Sequence, residues 1–356
     1  MEPIKIGVSI GDINGIGLEV ILKTFIQENI SKYITPVIYG SAKVVSYHKN
    51  IVGLDLQMST CNSAERVHQN RINVVNCWQE NVNITLGKAT EQGGQYAYRS
   101  LEVAVHDLKQ GWIDALVTAP INKAAMKMAN FPFPGHTEFL TENFGVKQSL
   151  MFMVSDNLKI GVATNHIPVS AVANTITKNL ITEKIHLMHD SLRNDFGIER
   201  PTIAVLGLNP HASDEGNIGK EEEQIIRPAI VQCKKKGMLV MGPYAADGFF
   251  GSSQYAKFDG ILAMYHDQGL IPFKALSFGE GVNFTAGLPI VRTSPDHGTG
   301  FDLAGKNEAD HSSFRKAVYA AADIVRFRRE MEEIKKNAMV KKKKPKEVQQ
   351  EGEILE

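Results

Sequence analysis

The stretch ILAMYHDQGLIPFK, residues 261–274, begins with a short apolar run and turns polar at His266. A short apolar run that leads into a helix-like segment is typical of a buried strand in an α/β protein. The same order recurs at four other places: IKIGVSI (4–10), DALVTAP (114–120), LKIGVATN (158–165) and PTIAVLGLN (201–209). Short strands that alternate with longer helices predict a mostly parallel α/β fold.

The composition is that of an ordinary globular protein, with 356 residues, 43% of them hydrophobic and 22% charged. The 39 basic and 39 acidic residues cancel, so no overall field attracts nucleic acid or an anionic membrane. The three cysteines form no CxxC pair, which is typical of the reducing cytoplasm. We expect neither a signal peptide nor a transmembrane helix, and therefore a cytoplasmic protein.

The segment FRREMEEIKKNAMVKKKKPKEVQQEGEILE, residues 327–356, has few apolar residues and a run of four lysines. We interpret it as a last helix that continues into a basic, flexible tail over residues 339–356. Nucleic-acid binding by the lysine run is an alternative, but the balanced overall charge predicts no nucleic-acid partner.

Three histidines each follow one of the predicted strands. His166 follows IGVATN, His211 follows IAVLGLNP and His266 follows ILAMY. Ligands of α/β sheets bind in the crevice outside the carboxyl ends of the strands. Three protein ligands with an open fourth position are typical of a catalytic divalent metal. The alternative is that these are unrelated loop histidines, since the chain has 11.

Asp267, next to His266, has three open interpretations. It could orient a metal ligand, accept a proton or cap the following helix.

A second set of residues has the chemistry of a phosphate site. His136 and Thr137 lie at a predicted helix start, where free N–H groups and the helix dipole favour an anion. Lys274 and Arg292 offer a point charge and a planar fork, and Asn283 offers an amide. The alternatives are that Thr137 is an N-cap and that the other residues lie on the surface.

The glycine stretch GDINGIGLE, residues 11–19, follows the first predicted strand and opens a helix. Its glycines do not have the GxGxxG spacing of a dinucleotide site, and no Lys-Ser/Thr pair follows as in a phosphate-binding loop. The sequence therefore contains no Rossmann fingerprint.

Six motifs together resemble one enzyme family, the 4-hydroxythreonine-4-phosphate dehydrogenases of pyridoxal phosphate biosynthesis. The resemblance covers roughly residues 4–330. The motifs are GDINGIG (11–17), TAPINK (118–123), FPGHTEFL (133–140), NPHAS (209–213), YHDQGL (265–270) and VNFTAGLPIVRTSPDHGTGFDLAGK (282–306). In the glycine stretch 11–19, Ile13 and Leu18 stand where the family usually has proline.

The resemblance implies a fold like that of isocitrate and isopropylmalate dehydrogenases, with two α/β/α domains and a cleft between them. Residues 1–130 with 285–338 would form the domain on the cofactor side. Residues 131–284 would form the domain that carries the metal, the substrate and the dimer contacts. The family also implies a homodimer, with the active site at the subunit interface, and an NAD-type cofactor bound without a Rossmann motif.

Carried over by position, the family's metal ligands fall on His166, His211 and His266, and Asp247 and Asp267 match acidic positions near the substrate, where we expect the catalytic base. The family's substrate-binding positions fall on His136, Thr137, Lys274, Asn283 and Arg292.

The implied reaction is the NAD-dependent oxidation and decarboxylation of 4-phosphooxy-L-threonine to 3-amino-2-oxopropyl phosphate. It would use a divalent metal, with zinc, magnesium, cobalt and manganese as candidates, and NADP is an alternative cofactor. One competing interpretation is a sister dehydrogenase that acts on phospho-threonate or phospho-erythronate. Another is a metal-dependent hydrolase or phosphoryl-transfer enzyme, in which the same histidines would activate water.

Overall fold

The computed structural model describes residues 3–26 and 30–337, and the basic tail predicted at 339–356 lies outside them. Within the described residues the chain forms twelve strands that join in one sheet. The strands are β1 Ile4–Ser9, β2 Ile34–Gly40, β3 Met58–Cys61, β4 Ile72–Asn76, β5 Ala115–Thr118, β6 Leu150–Val154, β7 Lys159–Val162, β8 Thr202–Leu206, β9 Leu239–Tyr244, β10 Gly260–Ala263, β11 Val282–Ala286 and β12 Val291–Pro295.

Helices connect most of these strands. They are α1 Gly17–Phe25, α2 Ile30–Tyr33, α3 Ala42–Val52, α4 Glu91–Lys109, α5 Lys123–Met128, α6 His136–Asn143, α7 Val169–Thr175, α8 Lys178–Asn194, α9 Arg227–Lys235, α10 Ala246–Gly251, α11 His266–Ser277 and α12 Ser312–Asn337. Among the described residues, no helix is both long and apolar enough to cross a membrane.

The strand order in the sheet is β3-β4-β2-β1-β5-β12-β11-β6-β7-β10-β8-β9. The first six strands pair in parallel, and so do the last four. Strands such as β2 and β5 are buried along their whole length, as expected where helices cover a parallel sheet. The predicted α/β fold class is confirmed.

The centre of the sheet is antiparallel, which the strand patterns did not predict. β11 pairs antiparallel with both β12 and β6, and β6 pairs antiparallel with β7. The β6–β7 connection is too short for a crossover helix, and Ser155 N donates to Leu158 O across it at 2.8 Å. A connection of that length joins neighbouring antiparallel strands, whereas parallel strands need a crossover of a dozen or more residues.

The division into two domains remains a prediction. The sheet continues from the segment predicted for the cofactor side into the segment predicted for the metal side. The predicted boundary between residues 284 and 285 lies inside β11, whereas the boundary between 130 and 131 lies in the connection between α5 and α6.

The glycine stretch at the end of β1 holds several loops together. A Cβ on Gly11, whose φ is +67°, would clash with the backbone oxygen of Pro120. The buried Asn14 side chain donates to Lys88 O at 3.1 Å and Thr90 Oγ1 at 2.9 Å, and its own oxygen accepts from Thr85 N at 2.8 Å. The stretch therefore has a structural role, because it connects neighbouring loops at the carboxyl ends of the strands.

Asp12, within this stretch, should make the stability of the protein depend on pH. Its side chain is 1% exposed and Oδ2 has no hydrogen-bond partner. Burial raises the pKa of its carboxyl to about 6, although Asn14 N donates to it. Because the folded state binds this proton more tightly than the unfolded chain, stability should fall as pH rises from about 4 to about 6.

The isosteric change Asp12→Asn should remove this dependence. The shift from 3.8 to about 6 corresponds to roughly 3 kcal/mol at most above pH 6. Urea unfolding should show the variant more stable than the wild type at about pH 7.5 and similar to it near pH 4. A stability difference that is the same at both pH values would contradict a charged, buried Asp12.

Candidate active site

A polar cavity of about 220 Å³ lies where the loops after β5 and β12 meet the start of α6. Its wall includes five residues that the sequence singled out, namely His136, Thr137, His166, Asn283 and Arg292. They come from α6, the loop after β7, β11 and β12. The structure thus brings most of the predicted phosphate set together with one predicted metal ligand.

Arg292 is a buried cation that forms hydrogen bonds to hydroxyl groups and no salt bridge among the described residues. Its side chain is only 3% exposed, and it forms no salt bridge within the described part of the chain. Its guanidinium donates to Thr118 Oγ1 at 2.7 and 3.2 Å and to Thr285 Oγ1 at 3.2 Å. Burial lowers its pKa to about 10, and Glu138 raises it. Arg292 therefore stays protonated at neutral pH and presents to the cavity a charge that Glu138 offsets only at a distance, without a salt bridge.

His136 is the first residue of α6. The N-cap is Gly135, which has no side chain to cap the helix, so the alternative in which Thr137 is the N-cap is wrong. Nε2 of His136 is buried and has no hydrogen-bond partner. Burial and the neighbouring Arg292 cation hold the pKa of His136 well below its ordinary value. A neutral imidazole, a helix N-terminus and an arginine thus meet at one place, which suits an anion.

Lys274 and Asn283 complete the predicted phosphate set. Lys274 lies on α11, is 53% exposed and pairs with Asp296 at 3.2 Å. Burial raises the pKa of the Asp296 carboxyl, and Lys274 partly offsets this effect. Asn283 lies opposite Ser294 in the β11–β12 pair, and both residues line the cavity. The Lys274 ammonium is therefore held at the edge of the site by a carboxylate that follows β12.

The three predicted metal ligands follow three neighbouring parallel strands, because β10 pairs with both β7 and β8. The rings of His166 and His266 lie with their centroids 5.6 Å apart. Nδ1 of His266 lies 2.7 Å from Asp267 Oδ1, which leaves Nε2 free. Burial lowers the pKa of His166, and Lys123 and His266 lower it further. Two imidazoles, one of them oriented by a carboxylate, are thus adjacent.

His211 is not part of this pair in the structure. It is exposed and begins a run, residues 211–215, in which every φ is positive. Such conformations are unfavourable for residues other than glycine. No group of three or more histidine, cysteine, aspartate or glutamate side chains that could hold a metal ion occurs in residues 3–26 and 30–337. The three-histidine site stays a prediction, with two of its members side by side.

The base of the His211 loop is tied to the rest of the site. The fully buried Glu222 accepts from the backbone N–H groups of Leu208 and Asn209, both at 2.7 Å. Gln268 on α11 donates to Gly207 O at 2.7 Å. These contacts connect the loop that carries His211 to the helix that begins with His266.

The two predicted acidic groups lie in different surroundings. Asp267 is exposed and contacts His266, which agrees with an orienting role. Asp247 is exposed in the first turn of α10 and is not among the residues that line the cavity. The assignment of either carboxylate as the catalytic base stays a prediction.

Several residues of the site were missed from the sequence. Lys123, Glu138 and His297 line the cavity, and Asp296 pairs with Lys274 beside it. The segments TAPINK (118–123) and DHGTGFDLAG (296–305) stand out as polar strand exits. That signal identifies the loops but does not single out a side chain within them.

Comparisons with known proteins identify the family to which the chain is similar. The family model described as "Pyridoxal phosphate biosynthetic protein PdxA" matches residues 32–321. A 4-hydroxythreonine-4-phosphate dehydrogenase of Bacteroides thetaiotaomicron is 50% identical over 91% of this chain and 90% of its own length. A protein of Oceanobacillus iheyensis, provisionally named D-threonate 4-phosphate dehydrogenase, is 35% identical over 90% of this chain and 97% of its own.

A crystal structure also matches. It is the 4-hydroxythreonine-4-phosphate dehydrogenase of Klebsiella pneumoniae, which is 34% identical over 90% of this chain and 99% of its own, with a TM-score of 0.80.

Proposed function

The chain belongs to the PdxA family of pyridoxal phosphate biosynthetic proteins, and from this premise we propose that it oxidises and decarboxylates 4-phosphooxy-L-threonine. The electron acceptor is NAD, with NADP as the alternative, and the product is 3-amino-2-oxopropyl phosphate. The similar proteins described above carry dehydrogenase names. That agreement favours an oxidoreductase over the hydrolase alternative.

The observation that carries the proposal is the buried Arg292, which forms no salt bridge within the described residues. A buried cation is costly unless an anion compensates it. The guanidinium lies in the same cavity as the start of α6, and His136 offers a buried imidazole nitrogen without a partner. A phosphate monoester supplies the charge and the acceptor oxygens that these groups lack. We therefore place the substrate phosphate on Arg292, His136, Thr137, Asn283 and Lys274.

The hydroxyl group of the substrate that is oxidised would lie toward His166 and His266. Their imidazoles have the donor chemistry of a divalent-metal site, and the Asp267 contact is of the kind that orients a metal-binding histidine. We propose that His166, His211 and His266 hold such a metal, for example zinc. Such a metal would lower the pKa of the substrate hydroxyl, and NAD would supply the hydride acceptor for the carbon that bears this hydroxyl.

A second candidate substrate is D-threonate 4-phosphate. The support is the Oceanobacillus iheyensis relative named for it. The phosphate-binding groups would be the same for both substrates, so discrimination depends on the end of the molecule that bears the amino or hydroxyl group.

We further propose that the protein is a homodimer with its active site at the subunit interface. Large apolar side chains are exposed close to the two histidines in sequence: Phe278 (89% exposed) and Ile271 (66%) in and after α11, and Val169 (76%) after His166. Exposed apolar groups of this kind often mark a protein contact.

We also propose that the protein works in the cytoplasm. The cysteines Cys61, Cys77 and Cys233 are free, which supports this proposal because disulfides are rare in that compartment.

The test is NADH absorbance after mixing the protein with 4-phosphooxy-L-threonine, NAD and a divalent metal, repeated with a chelator. We expect NADH formation that the chelator abolishes and that added metal restores. D-threonate 4-phosphate is run in parallel, and a higher kcat/KM for it would replace the first substrate by the second. Phosphate release without NADH from either compound would contradict the dehydrogenase proposal.

A further inference from the structure

His297 follows β12 and lines the cavity, yet the phosphate set does not use it. Its Nδ1 lies 3.0 Å from the carbonyl oxygen of Gly298. A carbonyl oxygen only accepts, so Nδ1 carries the hydrogen, and Nε2 of the neutral ring holds a lone pair. Nε2 is buried and has no hydrogen-bond partner among the described residues. The ring is therefore fixed as an acceptor that lacks a donor.

A buried acceptor without a donor costs roughly 1–3 kcal/mol. Such a cost is retained where a ligand supplies the missing partner. The cavity lined by His297 is also lined by Arg292, His136 and His166, which are the groups proposed for the phosphate and the metal. A substrate bound across these groups would occupy the cavity that His297 lines.

The other groups of the site are less suited to accept a proton. His136 also has a free buried nitrogen, but burial and Arg292 hold its pKa well below the ordinary value. Asp267 is exposed and contacts His266. Asp296 pairs with Lys274. His297 combines a cavity position with an unused lone pair.

We propose that Nε2 of His297 accepts the proton of the substrate hydroxyl during oxidation. The inference rests on the proposed function. The O–H bond breaks and its proton goes to Nε2, while the C–H electron pair leaves as hydride to the nicotinamide ring. The oxygen electrons form the C=O bond, so the alcohol is oxidised to a ketone and NAD is reduced to NADH. Asp267 keeps the role of orienting His266.

The variant His297→Asn tests the inference, because the asparagine amide can still donate to Gly298 O but has no acceptor at the position of Nε2. We expect kcat to fall by about 10²–10⁴-fold, the usual contribution of a general base. The affinity for inorganic phosphate, measured by calorimetry, should stay within about threefold of the wild type, since no phosphate-binding group changes. Added imidazole should restore part of the activity of His297→Ala. His68→Asn, a change of an exposed histidine between β3 and β4, is the matched control.

Two results would overturn the inference while the proposed function stands. One is a His297→Asn enzyme with nearly wild-type kcat. The other is an equal loss of kcat and phosphate affinity, which would assign a structural or binding role. If the variant does not fold, nitrogen NMR of the wild type shows which ring nitrogen of His297 carries the hydrogen. Hydrogen on Nε2 of the neutral ring would contradict the role of Nε2 as proton acceptor. A wild type that oxidises neither phosphorylated acid would overturn the proposed function as well.

Discussion

Replacing Arg292 with methionine should nearly abolish phosphate binding and leave the fold intact. Removing one member of a buried charge pair costs about 2–5 kcal/mol in binding, which corresponds to a loss of about 30- to 4,000-fold in affinity. In the absence of ligand the guanidinium forms no salt bridge in the part of the chain that the structure describes, and its hydrogen bonds go to the hydroxyls of Thr118 and Thr285. An apolar residue of similar length should therefore leave the free energy of unfolding unchanged or raise it by about 1 kcal/mol.

The measurements are calorimetry with inorganic phosphate and urea unfolding with and without phosphate. Phosphate should stabilise the wild type and leave Arg292→Met unaffected, because a ligand stabilises only the state that binds it. Arg326→Met is the matched control, since Arg326 is exposed and pairs with Asp323 on the same helix. Wild-type phosphate affinity in Arg292→Met would remove the observation on which the proposed function rests.

The second large effect is expected from His266→Ala. A metal that stabilises developing charge contributes several kcal/mol, so we expect turnover to fall by about 10³-fold or more. Bound metal, measured by mass spectrometry after dialysis, should fall in parallel. His211→Ala should have an equally large effect, because the proposed site needs three imidazoles.

Asp267→Asn should lower turnover less than the histidine variants do, and it serves as their comparison. It keeps the ligands but changes the group that orients His266 through the 2.7 Å contact, and the loss should be about 10–100-fold. If His211→Ala kept wild-type turnover while His266→Ala did not, the three-histidine assignment would fail. The adjacent pair His166 and His266 would then be the metal ligands.

The sheet shows which of its features local sequence patterns predict and which they do not. Apolar runs predict strands because every strand buried on both faces needs the same continuous hydrophobicity. The direction of a strand depends instead on what it pairs with. β11 begins opposite the end of β6, where Val282 lies opposite Val154. These two residues are 128 positions apart in the sequence, and no single apolar run encodes their pairing.

The residues that we propose to bind phosphate could be selected from the sequence because helix starts, lysine, arginine and asparagine have recognisable anion chemistry. The roles of Asp296 and His297 could not be selected in this way, because a carboxylate or an imidazole that follows a strand is compatible with many functions. The role of Asp296 is indicated by its contact with Lys274, and that of His297 by its unsatisfied Nε2. Both features form only when α11 and the loop after β12 have packed.

By itself, the sequence determined the α/β class, the strand ends that carry polar side chains and the membership of one enzyme family. Those properties depend on the periodicity and order of residues along the chain. The tertiary structure decided that Arg292 is buried without a salt bridge among the described residues, and that it bonds to Thr118, 174 residues away. It also placed the ring of His166 beside that of His266 and left His211 exposed. Burial and convergence depend on the packing of distant segments, which local patterns do not specify.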